Sequence, residues 1–195
     1  MHLQPHSIAA EGRAFLPPPG SVQYRLRMCD KPEGEIAIVH ATPSHRGDLE
    51  ALIERIEADD HPDNPYAAET AAEGMRRSLA RYDALSSEAV WFLIGYRGTT
   101  PAGLAVLTRV PKLDKRIGFL YLDELHVLEE HRRLGVGTAL LIAALRLAAE
   151  LGLAGIRLLT CPDNQAARAL YASLGFRESS TLLYRREVEP TRPAT

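Results

Sequence analysis

The chain of 195 residues has only two cysteines, Cys29 and Cys161. Two thiols build no disulfide framework, so a reducing compartment is expected. No charge sign dominates: 23 Lys and Arg face 25 Asp and Glu, a formal net charge of -2. That balance supplies no bulk positive field, so neither nucleic acid nor a membrane surface is expected as a partner. No apolar run is long enough to span a bilayer. The longest, around Leu140–Leu151, carries Arg146 and Glu150. The start, MHLQPHSIAAEGRAFLPPPG, has no charged segment followed by an apolar one. No signal peptide is therefore expected, and the compartment expected is the cytoplasm.

What is present is ordinary for a globular domain: 46% hydrophobic and 25% charged residues. The length suits one domain with terminal extensions. Residues 1–34 read as an extension, in part disordered and punctuated by Pro17–Gly20. Residues 35–186 read as the domain and 187–195 as a tail. A strand is predicted over Glu35–Thr42, where alternate residues are apolar. Leu49, Leu52, Ile53 and Ile56 recur at helical spacing, and a second helix is predicted over Ala67–Tyr82. Between them lies an acidic, proline-broken loop, Glu57–Tyr66. Strands over Ala89–Tyr96 and Ala102–Val110 flank the turn Arg97–Pro101, and a third covers Gly118–Val127. Then come a helix over Thr138–Leu151, a short buried strand Ile156–Cys161, a helix opened by Asp163 or Asn164 and closed by Gly175, and a last strand ending near Arg186. Hairpins first and a βαβ unit afterwards predict an α/β fold: a mixed sheet with helices on both faces.

Chemistry concentrates in two stretches. In HRRLGVGTAL, Gly135 and Gly137 stand at the mouth of an apolar helix, behind Arg132 and Arg133. A helix start offers free N–H groups and partial positive charge, and glycine lets a polyanion approach the backbone. The pattern asks for a pyrophosphate-like group, or else is a glycine-rich turn with solvated arginines. A P-loop would need lysine before Thr138, and a Rossmann turn a third glycine at Leu140. Both are excluded. In NQAARALYASLGF, Asn164, Ala167 and Tyr171 fall on one helix face, presenting an amide and a phenol.

Together the two stretches resemble the Gcn5-related N-acetyltransferase (GNAT) superfamily. Its cofactor motif, Gln/Arg-x-x-Gly-x-Gly/Ala after a strand ending Leu-x-Val, reads here as Leu125–Val127 and then Arg132 to Gly137. Its later signature reads here as Asn164, Ala167, Tyr171, Gly175 and Phe176. The match is specific from about Gly118 to Phe176. The resemblance implies a mixed, mostly antiparallel twisted sheet of about six or seven strands. It implies acetyl-CoA as acetyl donor to a primary amine of a small molecule or peptide, attacked directly in a ternary complex. Leu125, His126, Val127, Arg132, Arg133, Leu134, Gly135, Val136, Gly137, Thr138, Asn164 and Ala167 would then meet the cofactor. The Val127 amide would face the thioester carbonyl and Tyr171 would protonate the departing thiolate. No metal is implied, and a homodimer is compatible with the family. The rival class is an acyl-CoA-binding sensor or interaction module without turnover.

An alkyl ammonium must lose a proton before attacking, so a carboxylate is needed. Strict alternation along Gly118–Val127 puts Tyr121, Asp123, Leu125 and Val127 on one side, with Glu124 and His126 on the other. Asp123 is thus the first candidate for base or amine anchor and Glu124 the second. His126 reads as structural and Cys161 as a core residue. The loop acids Glu57, Asp59, Asp60 and Asp63 are expected to favour a cationic acceptor.

Overall fold

Val90–Arg97 is apolar at nearly every position, with Trp91, Phe92, Leu93 and Ile94 all buried. A strand buried on both faces needs cover on both. The computed structural model, which describes residues 23–27, 35–64, 66–113 and 117–186, provides it. Two compact units divide the chain, Met1–Leu159 and Thr160–Thr195.

The first unit holds a six-stranded sheet in the order β1 to β6. Its strands are β1 (Gln23–Arg27), β2 (Glu35–His40), β3 (Val90–Arg97), β4 (Thr100–Val110), β5 (Phe119–Val127) and β6 (Ile156–Leu158). Neighbours pair antiparallel except β5 and β6, which are parallel. Helices α1 (Arg46–Asp60) and α2 (Ala67–Tyr82) cover one face. Leu49, Leu52, Ile53 and Ile56 of α1 and Leu79 of α2 join Phe92, Ile94, Leu104 and Leu128 in one core. Helix α3 (Val136–Glu150) covers the other face and carries the chain from β5 to β6. There Gly95 and Gly103 leave room for Val136 and Leu140. A Cβ on Gly103 would lie 2.7 Å from the His126 carbonyl oxygen and 3.1 Å from Val136 Cγ1. The second unit contains α4 (Gln165–Ser173).

The mixed, mostly antiparallel sheet with helices on both faces agrees with the sequence reading. Three details differ. Gln23–Arg27, placed by sequence in the extension, pairs with β2 as an edge strand. Residues 180–186 form no strand, and Leu182, Leu183 and Tyr184 are exposed there. Finally β6 stops at Leu158, and Cys161, expected in the core, is exposed. No described helix is long and apolar enough to cross a membrane.

Candidate active site

The site in the first unit begins with an interruption in β5. Val106 pairs with Glu124, but the next residue, Leu107, pairs with Leu122. Asp123 has no partner on β4 and is a β-bulge. A bulge breaks the alternation of side chains and increases local twist. Glu124 and His126 lie opposite Val106 and Leu104, on the face covered by α1 and α2. Leu125 and Val127 lie opposite Ala105 and Gly103, on the α3 face. Asp123, the extra residue, therefore does not share a side with Leu125 and Val127 by alternation. That corrects the geometric ground on which it was preferred to Glu124. Both carboxylates are exposed.

Beyond the bulge one edge of β5 has no strand partner among the described residues. Pairing with β6 ends at Leu122 opposite Leu158, whereas pairing with β4 continues to Val127 opposite Gly103. Leu128 N–H donates to the Ala102 carbonyl at 3.0 Å. Antiparallel ladders alternate, so residues flanking such a bonded position turn their own N–H and C=O outward. The N–H groups of Leu125 and Val127 thus point away from β4, past the end of β6. The proximity of the His126 carbonyl to Gly103 fits the same alternation.

The chain then passes through a short 3-10 turn, Glu129–His131, into α3. Arg133 (φ 62°) and Gly135 (φ 89°) both adopt left-handed backbone. Glycine does so without strain, while arginine bears a cost on the order of 1–2 kcal/mol. These two residues turn the chain so that α3 begins with Gly135 as its N-cap and Val136 fixed in the core at 1% exposure. Its first N–H groups have no intrahelical partner. Arg133 is exposed at this mouth. Arg132 is differently engaged: its Nε donates to the Val127 carbonyl at 3.0 Å.

Acidic residues close the α1 side. Glu57, Asp59 and Asp60 belong to the last turn of α1, and Asp63 alone lies in the loop. Carboxylates at a helix C-terminus oppose the helix dipole. Here two have partners outside the helix. Asp59 Oδ2 accepts from the Glu129 N–H at 3.3 Å. Asp60 Oδ2 lies 3.8 Å from His126 Nδ1, whose Nε2 lies 3.8 Å from Glu124 Oε2. His126, read from sequence as structural, stands between two carboxylates. Arg55 and Glu130 pair nearby. At the other end of α1, Tyr96 donates to Asp48 at 2.7 Å.

The remaining candidates sit in the second unit. Asn164 is the N-cap of α4, its Oδ1 accepting from the Ala167 N–H at 3.0 Å. Its oxygen is thereby committed to the helix, leaving the amide NH2 for other contacts. Tyr171 is half-buried and packs against Phe176, ring centroids 5.7 Å apart. Burial raises its phenol above the ordinary value. Gly175 closes the helix at φ 81°. Among the described residues no group of three or more His, Cys, Asp or Glu could hold a metal ion.

A family model described as the acetyltransferase (GNAT) family matches residues 51–176. A search of curated proteins found no match. Among solved structures, an aminoglycoside acetyltransferase, HMB0005, from an uncultured soil metagenomic sample shares 23% identity at TM-score 0.68. The match covers 79% of this chain and 99% of that one. A probable acetyltransferase shares 23% at TM-score 0.62, with 79% and 99% covered. AAC(6')-Iy, in complex with the bisubstrate analogue CoA-S-monomethyl-acetylneamine, shares 17% at TM-score 0.60, with 78% and 98% covered. These likenesses establish a common fold, and the family model covers most of the domain. The chain belongs to the GNAT family of acetyltransferases.

Proposed function

We propose that the protein transfers the acetyl group of acetyl-CoA to a primary amine of a small molecule or peptide, by direct attack in a ternary complex. The observation that carries this reading is the pair of outward N–H groups, Leu125 and Val127, on the open edge of β5. An amide-bearing chain can pair with such an edge as an added strand. The free N–H groups at the start of α3, from Arg133 to Thr138, suit a diphosphate, and exposed Arg133 adds charge. Acetyl-CoA has both parts, a diphosphate and an amide-bearing arm, so the donor groups fit it. When bound, it supplies an acyl group activated as a thioester.

The residues divide the remaining work. The Val127 N–H stabilises negative charge developing on the carbonyl oxygen. Glu124 or Asp123 accepts a proton from the acceptor's ammonium, directly or through water, and frees the amine to attack. Burial keeps the Tyr171 phenol protonated, so it can donate to the leaving sulfur. Asn164 and Ala167 contribute to holding the CoA arm. The acids Glu57, Asp59, Asp60 and Asp63 favour a cationic acceptor. The fold shared with aminoglycoside acetyltransferases supports a small amine. A cytoplasmic location and a homodimer accord with this reading.

The test is CoA thiol release from acetyl-CoA against polyamines, amino acids, aminoglycosides and N-terminal peptides, repeated with Tyr171→Phe. Acceptor-dependent release that falls in the variant is expected. Saturable CoA binding without release from any acceptor would instead indicate the non-catalytic acyl-CoA-binding module.

A further inference from the structure

The N-terminal end of β5 carries a second feature. It lies eight residues from Val127 along the strand, roughly 26 Å at about 3.3 Å per residue. A pocket of about 250 Å³ opens there, where β5 and β6 begin side by side. Its walls are the side chains of Lys112, Phe119 and Arg157. Its floor is the backbone of Gly118, Ala154 and Gly155.

Two glycines belong to this lining. Gly118 (φ 115°) and Gly155 (φ 141°) have backbones that disfavour other residues. A Cβ on Gly155 would meet nothing within 4 Å, whereas one on Gly118 would lie 2.6 Å from the Val110 carbonyl oxygen. Two backbone bonds tie this floor together: Ala154 N–H to the Gly118 carbonyl at 2.9 Å, and Leu120 N–H to the Gly155 carbonyl at 3.0 Å.

Both cations gather on one ring. The Arg157 guanidinium lies 4.2 Å from the Phe119 centroid and the Lys112 ammonium 5.6 Å. Among the described residues no carboxylate lines the pocket. Neither cation has an ion-pair partner among the described residues. Each cation lies against the ring, which offers a π face but no hydrogen-bond acceptor. An oxyanion in the pocket would supply the acceptor oxygens that the ring does not.

We infer that this pocket binds a small phosphate- or carboxylate-bearing molecule at a site separate from the acetyl-transfer machinery. The guanidinium offers paired donors to either oxyanion, and the ammonium adds a point charge. The volume, that of about eight waters, suits a small molecule.

The test titrates the full-length chain, saturated with CoA and at constant ionic strength, with inorganic phosphate, citrate and phenyl phosphate. Binding is followed by thermal shift and calorimetry. At least one probe is expected to raise Tm saturably. In Lys112→Gln/Arg157→Gln its Kd rises tenfold or more, while Kd for CoA changes less than twofold. Both side chains are exposed, so the variant is expected to fold, and its unliganded Tm checks this. Arg157→Lys, which keeps the charge but loses the fork, should weaken carboxylate and phosphate probes less. Absence of saturable binding by all three probes, or equal binding to the double variant, overturns the inference. Failure of CoA to bind would count against the acetyltransferase reading and leave this comparison intact.

Discussion

Arg132 Nε donates to the carbonyl oxygen of Val127 at 3.0 Å, tying the approach to α3 to the end of β5. The next peptide N–H, that of Leu128, is held by Ala102. The backbone around Val127 is thus clamped from both sides. An oxyanion donor depends on such fixed orientation. Arg132→Ala is predicted to lower kcat about 10- to 100-fold, since a hydrogen bond from a charged group is worth about 1.5–3 kcal/mol. KM for acetyl-CoA should change little. Steady-state kinetics decide it: a raised KM at unchanged kcat would make Arg132 a simple diphosphate ligand.

Gly103 faces Val127 across the β4–β5 ladder. A Cβ there meets the His126 carbonyl at 2.7 Å and Val136 Cγ1 at 3.1 Å. Neither can retreat freely, because one is backbone and the other is buried in the first turn of α3. Gly103→Ala is predicted to cost about 1–3 kcal/mol of stability by overpacking. Activity should fall further than the folded fraction does. Urea unfolding and kcat measured on the same preparation test both parts.

Tyr171 is raised above the ordinary phenol value by burial. If it acts as the acid, kcat should hold up to about pH 10 and fall only above it. Tyr171→Phe should reduce kcat about 100-fold or more. Loss of activity well below pH 10 in the wild type, with an unchanged profile in the variant, would remove Tyr171 from the mechanism.

His40 gives a stability prediction. Burial, and secondarily the charge of His45, lower its imidazole below the ordinary 6.5. The unfolded chain then binds a proton more readily than the folded one. This contribution is present above pH 6.5 and is lost as pH falls toward the depressed folded value. Wild-type stability should therefore decline as pH drops below 6.5, and His40→Gln should flatten that segment. Denaturant midpoints between pH 7 and pH 5 measure it.

Much of this site was legible from residues alone, because its signals are local. Gly135 marks the left-handed N-cap of α3, and Asn164 the cap of α4. The period-3.6 stripe of Leu49 to Ile56 places α1 on the sheet. What escaped depends on pairing. Strict period-two reading has no means of detecting the bulge at Asp123, because an inserted residue leaves the local pattern looking regular. QYRLR carries only two apolar residues among three polar ones, so β1 read as extension, although such a composition suits an edge. STLLYRR has a strand-like composition, yet its apolar residues remain exposed. One further signal is present in the sequence. Glu57, Asp59 and Asp60 oppose the dipole at the end of α1, which points to partners outside the helix. Asp59 and Asp60 have them in the Glu129 N–H and His126.

The most direct measurement is transfer itself. Acetyl-CoA carrying an isotopic label in its acetyl group is incubated with the protein and the amine panel, and the acceptors are analysed by mass spectrometry. The account predicts labelled amide on a cationic primary amine, with equimolar free CoA. CoA released without label on any acceptor, or no labelled product while CoA binds tightly, would contradict it.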